Sequence, residues 1–97
     1  MIATFFEWRV QPAREEQFRE AWAEVTRGLH ARGSRGSTLF RKSDGNFCAL
    51  ARWPDRETRD AAFTAEAGGD ASLRLREAVG ETIQRFDLDE LTNLWLD

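Results

Sequence analysis

The stretch Phe47-Cys48-Ala49-Leu50-Ala51-Arg52-Trp53-Pro54 decides the fold. It follows the turn Ser43-Asp44-Gly45-Asn46 and stops at Pro54, so it reads as a short strand leaving a hairpin. Alternation puts Phe47, Ala49, Ala51 and Trp53 on one side and Cys48, Leu50 and Arg52 on the other. Both sides are mainly apolar, as in a strand covered on two faces. A chain of 97 residues has few elements with which to cover both, and that shortage points to a second copy of the chain.

Upstream, Thr38 to Lys42 forms the other arm of the hairpin, with Leu39 and Phe40 as its apolar members. Asp44-Gly45 is the turn signal, so the two strands are antiparallel neighbours. The loop Gly33-Ser34-Arg35-Gly36-Ser37 separates them from a helix that opens after Gln11-Pro12, where a missing N–H costs nothing. Glu15 and Glu16 suit the positive end of its dipole. Phe18, Trp22, Val25 and Leu29 lie on one stripe, and Gly33 is the stop. With its indole buried, Trp22→Ala would cost about 3–5 kcal/mol. The chain begins with a strand, Ile2 to Val10, whose faces are Ile2, Thr4, Phe6, Trp8, Val10 and Ala3, Phe5, Glu7, Arg9. Glu7 and Arg9 are expected either to pair across a two-fold axis or to be exposed.

Downstream, Asp55 is an N-cap for a helix to about Ala67, with Thr58, Ala61, Ala62 and Ala65 facing inward. Gly68-Gly69 breaks it. The spacing of Leu75, Val79, Ile83 and Phe86 predicts a second helix over Ala71 to Phe86, and Leu88 to Leu96 is read as the last strand. The apolar ending Leu94-Trp95-Leu96 calls for a covering surface. The order strand, helix, strand, strand, helical segment, strand is the ferredoxin-like split βαβ arrangement. The expected fold is therefore α+β: a four-stranded antiparallel sheet with helices on one face. The bare face, carrying Phe5, is expected to meet a second copy and form a homodimeric barrel.

Composition sets the remaining bounds. Residues 1–97 read as one domain, small enough to gain stability from association. A formal net charge of -3 gives no pull toward nucleic acid or anionic membranes. Phe47 to Trp53 superficially imitates the third strand of an RNA-recognition domain, but that charge and the missing Gly-aromatic pattern argue against it. Cys48 is the only cysteine, which excludes an intrachain disulfide and thiolate-rich metal sites. The start Met1-Ile2-Ala3-Thr4-Phe5 has no signal-peptide pattern, and no apolar run approaches the ~20 residues that span a bilayer. A cytoplasmic protein without membrane contact is the expectation.

Glu7-Trp8-Arg9-Val10-Gln11-Pro12-Ala13-Arg14-Glu15-Glu16-Gln17-Phe18, Gly36-Ser37-Thr38-Leu39 and Ala51-Arg52-Trp53-Pro54-Asp55-Arg56-Glu57 resemble the corresponding strand and helix starts of the antibiotic biosynthesis monooxygenase family of dimeric α+β barrels. The resemblance extends over essentially the whole chain. It implies a cofactor-independent monooxygenase that inserts oxygen from O2 into a planar polyphenolic or quinol substrate, with no metal or flavin. The substrate supplies the electrons. The protein supplies a dry apolar pocket, a proton acceptor and donors for an oxyanion. The haem-degrading branch carries an Asn where Trp8 stands, a second Trp near Ala62 or Phe63 and an iron-ligating His near Ser72. None of these is present, so the resemblance implies no haem. A His that many members carry near the position of Ala62 is missing as well.

The candidate catalytic residues are His30 and Trp53. His30 is the sole histidine and the natural general base, although it lies roughly 110° around the helix from the apolar stripe, where a cation at a helix C-terminus is the alternative. Trp53 is either a pocket wall offering its indole N–H or a packing residue. Phe6, Trp8, Trp22 and Phe63 are the candidate substrate-binding residues, and a close-packed aromatic core is the competing reading. Arg52 is an oxyanion holder or one half of a salt bridge, Cys48 a small core hydrophobe, and Asp87-Leu88-Asp89-Glu90 resembles a carboxylate cluster but, without companion ligands, reads as a solvated strand entry. Without a well-placed acid–base group, the alternative function is a non-catalytic small-molecule-binding or regulatory dimer.

Overall fold

The computed structural model describes residues 1–96. Its strands are β1 (Ile2–Val10), β2 (Ser37–Arg41), β3 (Phe47–Trp53) and β4 (Val79–Asp89). Its helices are α1 (Glu15–His30), α2 (Arg56–Glu66) and α3 (Asp70–Ala78), with one 3-10 turn at Pro12–Arg14 leading into α1. The sheet is antiparallel, in the order β2-β3-β1-β4, so β3 and β1 are the interior strands. The helix-facing side of β3, Phe47, Ala49, Ala51 and Trp53, is buried, whereas Leu50 and Arg52 on its other side are only half-buried. The architecture is the ferredoxin-like α+β arrangement with three helices.

The helices cover one face. Ile2, Trp8 and Val10 of β1 and Phe47, Ala49, Ala51 and Trp53 of β3 are buried with Phe18 and Leu29 of α1, Ala62 of α2 and Ala78 of α3. The hairpin between β2 and β3 turns at Gly45, whose φ of 95° is a left-handed value that glycine adopts without strain. Asp55 caps α2 as expected, its carboxylate accepting from the Thr58 N–H at 2.7 Å.

Four expectations are corrected. The predicted helix over Ala71 to Phe86 stops at Ala78, and Val79–Asp89 is strand β4, paired with β1 from Ile2↔Asp89 to Val10↔Val79. Two register shifts, between Glu7 and Trp8 and between Arg9 and Val10, leave Ile83 and Gly80 out of the pairing. These bulges break the period-two pattern, so the apolar residues fall at helix-like spacing. Gly80 permits its bulge, because a Cβ there would stand 3.1 Å from the Arg9 carbonyl oxygen. Second, the last strand ends at Asp89, and residues 90–96 have no regular structure. Leu91, Leu94, Trp95 and Leu96 are exposed.

Third, Glu7 is neither exposed nor left for a partner chain. It is 2% exposed and accepts from Lys42 Nζ at 2.8 Å, Asn46 Nδ2 at 2.9 Å and Gln84 Nε2 at 2.7 Å, while Arg9 pairs with Glu81 at 2.8 Å. Fourth, α2 turns Arg59 and Ala62 inward, and Ala61 and Ala65 are exposed. Arg59 reaches Thr4 Oγ1 at 2.9 Å and pairs with Asp87, tying α2 to both β1 and β4.

On the face away from the helices, Phe40, Phe86 and Leu88 are exposed to 49%, 42% and 45%, and Phe5 stacks on Phe86 at 4.9 Å. Three large apolar side chains in water on one sheet face is an unfinished surface. Among the described residues, no helix is long and apolar enough to cross a membrane.

Candidate functional site

Between the sheet and the helices lies a cavity of about 580 Å³. That is ample for a planar molecule of several rings, since small-molecule sites run from ~300 to 1,000 Å³. Phe6 and Trp8 project into it from β1, Ala49 and Ala51 from β3, Trp22 and Val25 from α1, Phe63 and Glu66 from α2, Leu75 and Arg76 from α3, and Val79 and Arg85 from β4. Alternation along β1 places Phe6 and Trp8 together, and their rings stack at 5.1 Å, 11° from parallel. The small side chains of Ala49 and Ala51 on the next strand leave the space that a Leu or Ile would fill.

The four predicted substrate-binding residues all line this space. Trp8 is buried and packs edge-on to Phe18 at 5.3 Å, whereas Trp22, Phe6 and Phe63 are only partly buried, with one side turned to the cavity. The two catalytic candidates stand elsewhere. His30 is the last residue of α1, is exposed and does not line the cavity. Trp53 is fully buried behind the wall, edge-on to Phe63 at 5.6 Å, and its Nε1 has no hydrogen-bond partner among the described residues. Arg52 is held in the chain by Glu90, with Nη2 3.0 Å from Oε1, and Cys48 is buried, its thiol pushed up by burial.

The structure adds charged groups that sequence reasoning missed. Arg85 is paired in register with Phe6, and its guanidinium carbon stands 5.3 Å from the Phe6 ring centre and 5.6 Å from that of Phe63. A cation over a ring face is attracted by the ring without using up its N–H donors. Among the described residues it has no carboxylate partner. Treating β4 as helix hid it. Read with the strand period, Arg85 and Asp87 share one face, and pairing with β1 puts that face toward the helices. Glu66 is the cavity's carboxylate. Arg32 Nε donates to its Oε1 at 2.6 Å, and Gly28 makes room for it, since a Cβ there would lie 3.3 Å from Oε2.

Asp87, two residues beyond Arg85, anchors this end of β4. It accepts from Arg59, from Arg56 at 3.3 Å and from the Thr4 hydroxyl at 3.2 Å. Burial pushes its carboxyl up, but the hydrogen bonds from Arg59 and Arg56 outweigh that and hold it below the usual carboxylate range. Among the described residues, no three His, Cys, Asp or Glu side chains come together in a way that could hold a metal ion.

Chemically, the site offers aromatic walls suited to a flat ligand, a guanidinium over the Phe6 and Phe63 rings and a carboxylate in the lining. Solved structures with this fold include SnoaB, a cofactor-independent oxygenase from Streptomyces nogalater, 18% identical, with 96% of this chain and 95% of that one covered at a TM-score of 0.79. Rv0793 from Mycobacterium tuberculosis is 18% identical over 97% of this chain and 98% of its own, with a TM-score of 0.74. A candidate antibiotic biosynthesis monooxygenase from Chloroflexus aurantiacus is 10% identical over 99% and 98%, with a TM-score of 0.82. At these identities the likeness is one of fold. No curated protein matches the chain. The sequence model described as Antibiotic biosynthesis monooxygenase matches residues 1–79 of the 97, and the chain belongs to that family.

Proposed function

We propose that the protein is a cofactor-independent monooxygenase acting on a planar polyphenol or quinol-type substrate held in the cavity. The observation that carries this reading is the set of aromatic walls, Phe6, Trp8, Trp22 and Phe63, around about 580 Å³ of space with Arg85 against them. The substrate enters as a ring bearing an acidic C–H beside a phenol. Glu66 takes the proton, and Arg85 holds the oxyanion that forms. The resulting carbanion passes electrons to O2, a C–O bond forms, and loss of water from the hydroperoxide leaves a carbonyl. The ring's CH2 becomes C=O, one oxygen atom enters the product and the other leaves as water. No outside reductant is needed.

The same proposal includes a homodimer through the open sheet face, where Phe40, Phe86 and Leu88 stand exposed. Association through that face would turn the unfinished surface into an interface core.

A second reading, a binding or regulatory dimer without turnover, is favoured by one observation. No histidine lines the cavity, and its carboxylate is already held by Arg32. Oxygen uptake with an anthrone and a quinol, on protein dialysed against chelator, separates the two. Uptake that survives the treatment and falls in Arg85→Gln supports the oxygenase. No uptake across the panel, with the ligands still bound, supports the binder.

A further inference from the structure

The charge left uncompensated around the cavity narrows the ligand further than shape does. Several guanidinium groups of this acidic chain sit beside carboxylates, such as Arg14 with Glu77, Arg41 with Glu15 and Arg52 with Glu90, while Arg19, Arg27 and Arg35 stand unpaired on the exposed surface, away from the cavity. Arg76 and Arg85 have no such partner among the described residues, and both line the cavity. Arg76 Nη2 donates to the Ala67 carbonyl at 2.9 Å. That bond fixes the guanidinium at the turn between α2 and α3 without cancelling its charge. Arg85 is held in place by the rings of Phe6 and Phe63, which leave its charge equally intact. The one carboxylate that lines the cavity, Glu66, is already matched by Arg32. Two fixed cations therefore face a space whose remaining walls are largely apolar.

A single ring oxyanion would answer Arg85 and leave Arg76 without a counter-charge. We infer that the ligand is a planar aromatic acid: its ring lies along the aromatic walls with a ring oxygen toward Arg85, and a permanently ionised carboxylate on its periphery is bound by Arg76. Guanidinium suits this role because its fork of donors matches a carboxylate's two oxygens. The inference rests on the proposed use of the cavity as a ligand pocket, and it does not depend on turnover.

Binding tests it directly, with anthraquinone-2-carboxylate and its uncharged, nearly isosteric carboxamide as probes and quenching of the cavity tryptophans as the readout. The carboxylate is expected to bind about tenfold to a hundredfold tighter than the amide at low salt, the range for a hydrogen-bonded charge. The difference should shrink as salt is added. Arg76→Gln should remove most of that preference by weakening the carboxylate far more than the amide, whose carbonyl loses only a weaker bond, and Arg76→Lys should keep part of it. Arg76 is exposed, so thermal melts of both variants should match the parent. Equal affinities for the two probes, or a preference that survives Arg76→Gln, overturn the inference and leave the pocket reading standing. If neither probe quenches at all, the pocket reading fails and takes this inference with it.

Discussion

Ala49→Leu tests whether the space under the helices is real. Ala49 is 2% exposed, packs in the same cluster as Trp8 and lines the cavity. In a solid core, three added carbons force neighbours off their rotamers and cost about 1–3 kcal/mol. In a cavity of about 580 Å³ they enter unoccupied space and meet apolar walls. At about 0.8 kcal/mol per buried CH2, the gain is at most about 2 kcal/mol, less whatever side-chain entropy is lost. The expected result is a stability between unchanged and about 2 kcal/mol higher, or a midpoint raised by several degrees in a domain this small. Ala21→Leu is the control. Ala21 is 0% exposed on α1 and does not line the cavity, so the same substitution there should show the full overpacking loss. Both are measured by urea unfolding at one protein concentration, because association shifts the midpoint. In the same samples, Ala49→Leu should weaken binding of a planar probe. A loss above about 1 kcal/mol for Ala49→Leu, matching the control, would mean the aromatic residues close-pack there, and the ligand pocket would go.

Other perturbations read other parts of the structure. Arg59→Ala removes a buried guanidinium from Asp87 and Thr4 and should cost about 3 kcal/mol in urea unfolding; a loss under about 1 kcal/mol would show that the α2–β4 tie is not structural. Acid should unfold the protein through its held carboxylates. Glu7 is brought down to about 2, first by Lys42 and then by Asn46 and Gln84 against the opposing pull of burial, and Asp87 is lowered too. The unfolded chain takes up these protons at higher pH than the folded one, so stability is intact above about pH 5 and falls toward pH 2. Glu7→Gln should flatten that fall, and an unaltered acid limb would count against the cluster. Phe86→Asp puts a charge on the open sheet face and should shift sedimentation toward a single 11.1 kDa chain; a parent that already sediments as a monomer would dispose of the dimer. Trp22→Ala should cost clearly less than the 3–5 kcal/mol of a fully buried aromatic, because one side of the indole already faces the cavity.

The first part of the fold was readable because its local signals are strong and agree. β1 alternates, α1 carries an apolar stripe, and Asp44-Gly45 forces the hairpin that makes β2 and β3 antiparallel. Each of these is written within about a dozen consecutive residues. The last part was not readable because its signal depends on pairing. Val79 to Phe86 carries apolar residues at a spacing that suits a helix, and only the two bulges against β1 explain why a strand would have that spacing. The same limit applies to Glu7. Its three donors come from β2's hairpin end and from β4, far apart in the chain, so no local pattern could show that a charge on a sheet face would be buried and satisfied.

That one misread strand also accounts for the absence of Arg85 from the residues expected at the site. The aromatic walls on β1 and α1 could be named because the periods of those two elements are legible, whereas Phe63 lies outside the α2 face that the sequence turns inward. Arg85 could not be named, because it gains its meaning from standing opposite Phe6 across a strand pairing. Glu66 and Arg76 lie on helices that the sequence does announce, but only tertiary packing shows that those positions line the cavity. His30 drew attention by residue type alone, yet its place at the end of α1 keeps it from the cavity, and the charged residues that line the space are Glu66, Arg76 and Arg85. Which side chains can act here thus follows from which strand lies at the sheet's edge: β4 delivers Arg85, the Arg59–Asp87 tie fixes β4 against α2, and loss of that tie should impair ligand binding even when every wall residue is left in place.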